Sequence, residues 1–352
     1  MNAPEDLDAA LNGVRSVFLL WPFFTTEAAP ALLDVVAEHA RRIVYLSAMS
    51  VRDDRAPEEN GFWGEVEHLI EKSGLEWTFL RVGGFATNTL IWADQIREGA
   101  VRWPYGGAAR SLIDERDIAA VAVRALTEEG HAGAKYVLTG PEAVTQAEQA
   151  RIIGEATGLP VHWNELPLDE AREELLASWG DPGYVDSALG HWGSLVTEPE
   201  PVTHTVEEVT GVPARTFREW AADHADAFRP LSAQEVGGAY VSLFRQNRFV
   251  DTPKFMSTDM VRIAPLETAG ERKELRGLEE IMANSRRLTA DYEIHGVEVE
   301  GPFVAQDRFA VRFTFDEIHV PTGERATKTK MSLYTVAEGR ITREVYYYYY
   351  EP

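Results

Sequence analysis

The residues best suited to chemistry stand in the last third of the sequence. Glu344 lies two positions before Tyr346 in a strand-like run, so the two side chains share a face. On a buried face, the low-dielectric setting raises that carboxyl toward the pKa of a general base. On the outer face it pairs instead with Arg343 or Arg312. His319 precedes the turn Pro321-Thr322-Gly323 and is of the type that shuttles protons near neutrality, although a solvated turn histidine reads the same way. Tyr346 to Tyr350 must alternate between faces, one set for a pocket and one for an interface. Acid/base work is what these types support. With no cysteine in the chain, thiolate nucleophiles, disulfides and cysteine-held metals are excluded, and no metal site is read from the remaining His and carboxylates.

At 352 residues the chain is long enough for two domains. Its net charge of −23 argues against nucleic acid and anionic membrane as partners. The longest apolar stretch, Val17 to Phe24, is broken by Pro22 and too short to span a bilayer. Acids near the N-terminus replace the basic start of a signal peptide, so a cytoplasmic location is expected. Charge is uneven: residues 1 to 230 hold 18 basic against 38 acidic side chains, and residues 231 to 352 hold 16 against 19. That shift, with a capping Ser232 opening a new apolar period, sets the expected boundary at residue 230, giving domains 1–230 and 231–352.

The first region alternates strand and helix. Ser16 to Leu20, Arg42 to Ser47 and Glu76 to Leu80 read as buried parallel strands, with helices at Glu27 to Ala40 and Gly61 to Ser73 between them. Asp114 opens a further helix, and Thr145 to Glu148 forms a capping box. The second region begins with a helix from Ala233 to Gln246. A short strand at Met260 to Ile263 and a helix from Arg276 to Leu288 follow. Phe309, Val311, Phe313 and Phe315 then alternate with polar residues, and turns at Pro321 to Glu324 and at Glu338-Gly339 mark hairpins.

The stretches Ile43 to Ser47, Glu67 through Arg81, Asp114 to Ala119 and Tyr136 to Pro141 make the first region resemble the NmrA-like atypical short-chain dehydrogenases. The resemblance implies a truncated, doubly wound Rossmann-like α/β domain, because the strand, glycine-rich turn and helix that hold a cofactor pyrophosphate are not found ahead of it. It also places the family's Tyr-x-x-x-Lys pair on Glu59 and Trp63, with Ser47 alone matching. The expectation is therefore no cofactor, with NADP used only if an N-terminal segment is supplied. Strand 16–20 is then left as an open edge, from which a homodimer is expected.

The stretches Tyr240 to Phe244, Asp307 to Phe313, His319 to Gly323 and Leu333 to Ile341 make the second region resemble the SnoaL-like cyclases and ketosteroid isomerase. These share the nuclear transport factor 2-like fold, an α+β cone with an apolar ligand pocket. The resemblance puts Tyr240 where the isomerase donates a hydrogen bond to an enolate, and His319 where the cyclases often have a histidine. It puts Ala264, Met331 and Tyr346 where carboxylates are required. Tyr240, Glu344 and His319 are thus the expected catalytic set. The expected function is isomerase, cyclase or hydratase chemistry on an apolar, oxygen-bearing metabolite. The alternatives are a non-catalytic binding or regulatory protein and a fragment of an NAD(P)H-dependent reductase.

Overall fold

The computed structural model describes residues 4–265 and 272–349. It divides into two compact units, Met1–Phe228 and Arg229–Pro352. The first opens with α1 (Pro4–Ala10), β1 (Ser16–Leu20), α2 (Ala29–His39), β2 (Arg42–Ala48), α3 (Gly61–Lys72) and β3 (Glu76–Val82). Then come α4 (Ala93–Arg97), β4 (Ala100–Trp103), β5 (Ala109–Arg110), α5 (Glu115–Thr127), β6 (Ala134–Leu138), β7 (Val144–Thr145), α6 (Gln146–Thr157) and β8 (His162–Glu165). Helices α7 (Leu168–Trp179), α8 (Pro182–Ser194), α9 (Thr205–Thr210), α10 (Phe217–Asp223) and α11 (Ala225–Phe228) complete it.

Strands β1, β2, β3 and β6 lie side by side in that order, all parallel. The uninterrupted apolar run of β2 has a direct cause. Ile43 and Tyr45 pack with Val36, Val66 and Ile70 of α2 and α3, whereas Val44 and Leu46 pack with Val121, Ala122 and Ala125 of α5 on the opposite face. Helix starts follow local chemistry: the Asp114 carboxylate accepts the Arg116 N–H, and Thr145 Oγ1 accepts the Glu148 N–H. Among the described residues β1 pairs only with β2. Leu19 and Trp21 are buried, but Phe18 and Leu20 are exposed and face α5. Between them runs an apolar groove of about 490 Å³ lined by Phe18, Leu20, Leu46, Ile118, Ala122 and Val123.

The second unit holds α12 (Ala233–Arg245), β9 (Met256–Pro265), β10 (Arg272–Arg276), α13 (Leu278–Thr289), β11 (Tyr292–Ala305), β12 (Arg308–His319), β13 (Glu324–Ala337) and β14 (Arg340–Tyr349). These strands form one sheet of order β10-β9-β14-β13-β12-β11, antiparallel except where β14 runs parallel to β9. Phe309, Val311, Phe313, Tyr334, Val336 and Ile341 form its inner apolar face and pack with Tyr240 and Val241 of α12. Ser232 and Glu235 cap α12 reciprocally. β10 escapes sequence reading because Arg272, Lys273, Glu274 and Arg276 surround its one buried apolar residue, Leu275; its partner strand β9 supplies the pairing.

Candidate functional site

In the first unit the C-terminal ends of the parallel strands mark the usual ligand position in open α/β sheets. β1 exits through Trp21-Pro22-Phe23-Phe24, β2 through the segment leading to Phe62 at the start of α3, and β3 through Gly83-Gly84-Phe85. Phe24 stacks edge-on with Phe62, ring centroids 5.9 Å apart, and lies 5.8 Å from the ring of Tyr184 on α8. The series continues from Tyr184 to Trp179, Trp192 and Trp103 at 5.3, 6.1 and 5.5 Å. Phe24 and Tyr184, 74% and 52% exposed, form a solvent-facing rim, whereas Trp103 at the far end lies in a core against which Trp179 and Trp192 pack. Helix α8 spans the strand exits: Tyr184 sits against the β1 exit, and Leu195, just past the helix end and roughly 16 Å further along, accepts the Ala109 N–H.

The β3 exit is tied to the segment around β5. Ile113 N–H donates to Gly84 O and Ala86 N–H to Ile113 O, both at 2.9 Å, while Gly83 N–H donates to Leu138 O. This brings the Arg110 guanidinium so close to Gly84 that a Cβ there would collide with it and with Leu112. Arg110 is only 15% exposed at its side chain, and its Nε approaches Glu200 Oε1 at 3.5 Å without forming a hydrogen bond. Glu200 is buried, accepts the Ser111 N–H at 2.9 Å and lies 3.5 Å from His191 Nε2 of α8. Burial pulls the Glu200 carboxyl upward, but His191, Arg110 and the Ser111 N–H prevail and hold it below the ordinary range.

Beside this lies a rigid ionic support. Ser47 Oγ donates to Glu67 at 2.5 Å, and Arg81 clamps both oxygens of Glu67 at 3.0 and 2.7 Å while reaching Asp53 at 2.8 Å. Arg81 and Lys135 bring Asp53 down to about 2. Ser47 is therefore a buried structural partner of Glu67. Glu59 and Trp63 stand where the dehydrogenase pair is expected, and neither supplies its chemistry.

The residues singled out in the second unit separate into two places. Tyr240 and Glu344 come together through Tyr334, whose hydroxyl lies 3.3 Å from that of Tyr240 and donates to Glu344 Oε1 at 3.2 Å. His319 is elsewhere: ten residues along β12 from Phe309, the neighbour of Tyr334, it lies roughly 30 Å away, with Nδ1 2.8 Å from Thr322 Oγ1. The raised carboxyl expected for Glu344 is also overturned. Glu344 is 1% exposed, and burial does push it upward. Arg262 Nε donates to it at 2.7 Å and Lys330 Nζ stands 3.5 Å away, and together these cations bring it to about 2. It is a buried anion, not a poised base. Arg312, its expected outer-face partner, bonds Glu300 instead. Tyr346 is buried and Tyr347 exposed, as alternation requires; Tyr350 lies outside the described residues.

The strand order and the helices on both faces define a Rossmann-like α/β unit, followed by an α+β unit. Residues 1–129 match the NAD(P)H-binding family model and residues 238–344 the SnoaL-like domain. The chain is 40% identical over 237 residues, 64% of its length and 80% of the other's, to the (4-alkanoyl-5-oxo-2,5-dihydrofuran-3-yl)methyl phosphate reductase of Streptomyces griseus. It is 37% identical to the NAD(P)H azoreductase of Xenophilus azovorans, across 65% of this chain and 82% of that one. The Escherichia coli NADPH-dependent quinone oxidoreductase, solved with NADPH, shares its fold with a TM-score of 0.52 at 23% identity, covering 63% of this chain and 80% of the other. The chain belongs to the NAD(P)H-binding family, and its second unit is SnoaL-like.

Three expectations are corrected by these findings. Isomerase or cyclase chemistry as the main function gives way to the reductase alternative, because the relatives are reductases by name. The absence of a cofactor and the loss of the N-terminal cofactor-binding part both give way to the family match over residues 1–129. The strands and helices of residues 1–129 carry the family likeness. At the β3 exit, where a nicotinamide would lie in such a fold, the backbone of Gly83 is bare of side chain, with the Met49 methyl 3.5 Å and a Glu200 carboxylate oxygen 3.8 Å from where a Cβ would stand. Among the described residues no glycine-rich strand-to-helix turn is present, so none is assigned to a pyrophosphate.

Proposed function

We propose that the chain is an NAD(P)H-dependent reductase of a planar, conjugated small molecule bound over the strand ends of the first unit. The observation that carries this reading is the 40% identity to a reductase across 80% of that enzyme's length. The aromatic rim supports it, since Phe24, Phe62 and Tyr184 offer faces on which a flat acceptor stacks. A bound reduced nicotinamide supplies the hydride. Glu200, held ionised, is no proton donor; it orients His191, whose half-exposed imidazole on α8 delivers the proton that accompanies a hydride.

The test is anaerobic turnover of NADPH and of NADH by the full chain, with an azo dye and a benzoquinone as acceptors, read from nicotinamide absorbance. Acceptor-dependent oxidation is expected with at least one pairing. A folded protein that neither oxidises nor binds either nucleotide in calorimetric titration overturns the reading.

A further inference from the structure

Arg110 is left in a condition that proteins rarely tolerate. Its side chain is 15% exposed and its Nε is fully buried, yet among the described residues it donates no hydrogen bond, and its one ion contact, to Glu200, is 3.5 Å long. Glu200 is already engaged by the Ser111 N–H and hydroxyl and approached by His191. A guanidinium presents five donors in a rigid fork that matches two oxygens of a carboxylate or phosphate. Leaving the buried Nε donor unpaired is costly, and the terminal N–H groups, which are not among the buried unpartnered atoms, remain available to a ligand. The packing holds the group there regardless: Gly84 has no side chain, which gives the guanidinium its room, and Leu112 closes the other side of that space.

We propose that Arg110 binds the oxyanion of the substrate, so that the acceptor is a conjugated molecule carrying a carboxylate or phosphate. The identity of the ligand as a substrate rests on the reductase reading; the anion site itself does not. Gly84 marks the β3 exit and His191 lies on α8, the helix that carries Tyr184, so an anion on Arg110 anchors a ligand whose flat body extends along α8 toward the exposed rings of Tyr184 and Phe24. The ionised Glu200 beside it keeps the guanidinium oriented and sets a preference for ligands that bring their charge to the exposed side of the fork.

The experiment is calorimetric titration of the full chain, without nucleotide, using phenyl phosphate, benzoate and neutral benzyl alcohol. At least one anion is expected to bind roughly 10- to 100-fold tighter than the alcohol. Arg110→Gln should remove that preference, Arg110→Lys should keep part of it, and Gly84→Ala, which pushes the guanidinium aside, should weaken it. The phosphate and carboxylate arms show which oxyanion fits. Equal binding of anions and alcohol by the wild-type protein overturns the proposal, whatever the variants do, and so does an unchanged preference in a folded Arg110→Gln. A loss of NADPH over NADH preference in Arg110→Gln, with phenyl phosphate and benzoate binding unchanged, assigns the residue to the cofactor phosphate and overturns the substrate assignment. Because these titrations need no turnover, an anion preference without any reductase activity sinks the reading of function and leaves the anion site standing.

Discussion

Burial alone would push the carboxyl of Glu344 upward, yet two cations outweigh it, and the consequence is a stability role. Arg262, Lys330, Ser332 and Tyr334 all converge on this one side chain. Removing its charge leaves Arg262 and Lys330 facing each other in the interior. Glu344→Gln is therefore expected to destabilise the second unit by about 3 to 5 kcal/mol, the range for breaking a buried pair from one side, read as a lowered urea midpoint. An unchanged midpoint would mean that water already screens the cluster. The parity of Glu344 with Tyr346 was readable in the sequence. Its partners were not, because Arg262 and Lys330 reach it through pairings of β14 with β9 and β13 across 82 and 14 residues.

Elements show a different limit. The apolar run of β1 was legible as a strand, and its position at the sheet edge follows from the strand order. Phe18 and Leu20 are exposed along that edge, the latter at 58%, and between Ser16 and Leu20 there is neither a charge nor a proline to discourage pairing. We propose a second copy of the chain as the cover, since two such edges pair self-complementarily about a twofold axis. Light scattering at tens of micromolar should then give a dimer, and Leu20→Glu a monomer of unchanged secondary structure. A wild-type monomer whose β1 amides exchange freely would show that the fold tolerates the open edge.

At the scale of the whole molecule, both units depend on ionised carboxylates. Glu344 is held at about 2 against an ordinary 4.5, and Glu200 and the helix-capping Asp114 are also lowered. A folded-state pKa below the unfolded one adds stability that is complete above the ordinary value. That stability is lost as pH falls through the folded value. The urea midpoint should accordingly hold from pH 7 to about 5 and fall steadily from about 4.5 toward 2; a midpoint that is flat down to about pH 3 would contradict the depressed values. None of the helices among the described residues is long and apolar enough to cross a membrane. The sequence by itself determined the elements: the apolar runs of β1, β2 and β3, the caps at Asp114, Thr145 and Ser232, and the alternation of β12 are local patterns, set by periodicity and by hydrogen bonds spanning a few residues. The double glycine after β3 is a local pattern that leaves room for a close approach, though it does not tell which side chain makes it. Only the tertiary structure decided that Arg110 lies against Gly84, that Glu200 returns from 90 residues further on, and that Glu344 is an ion-paired anion. Charge environment and burial are sums over neighbours brought together by folding, and no spacing along the chain encodes them.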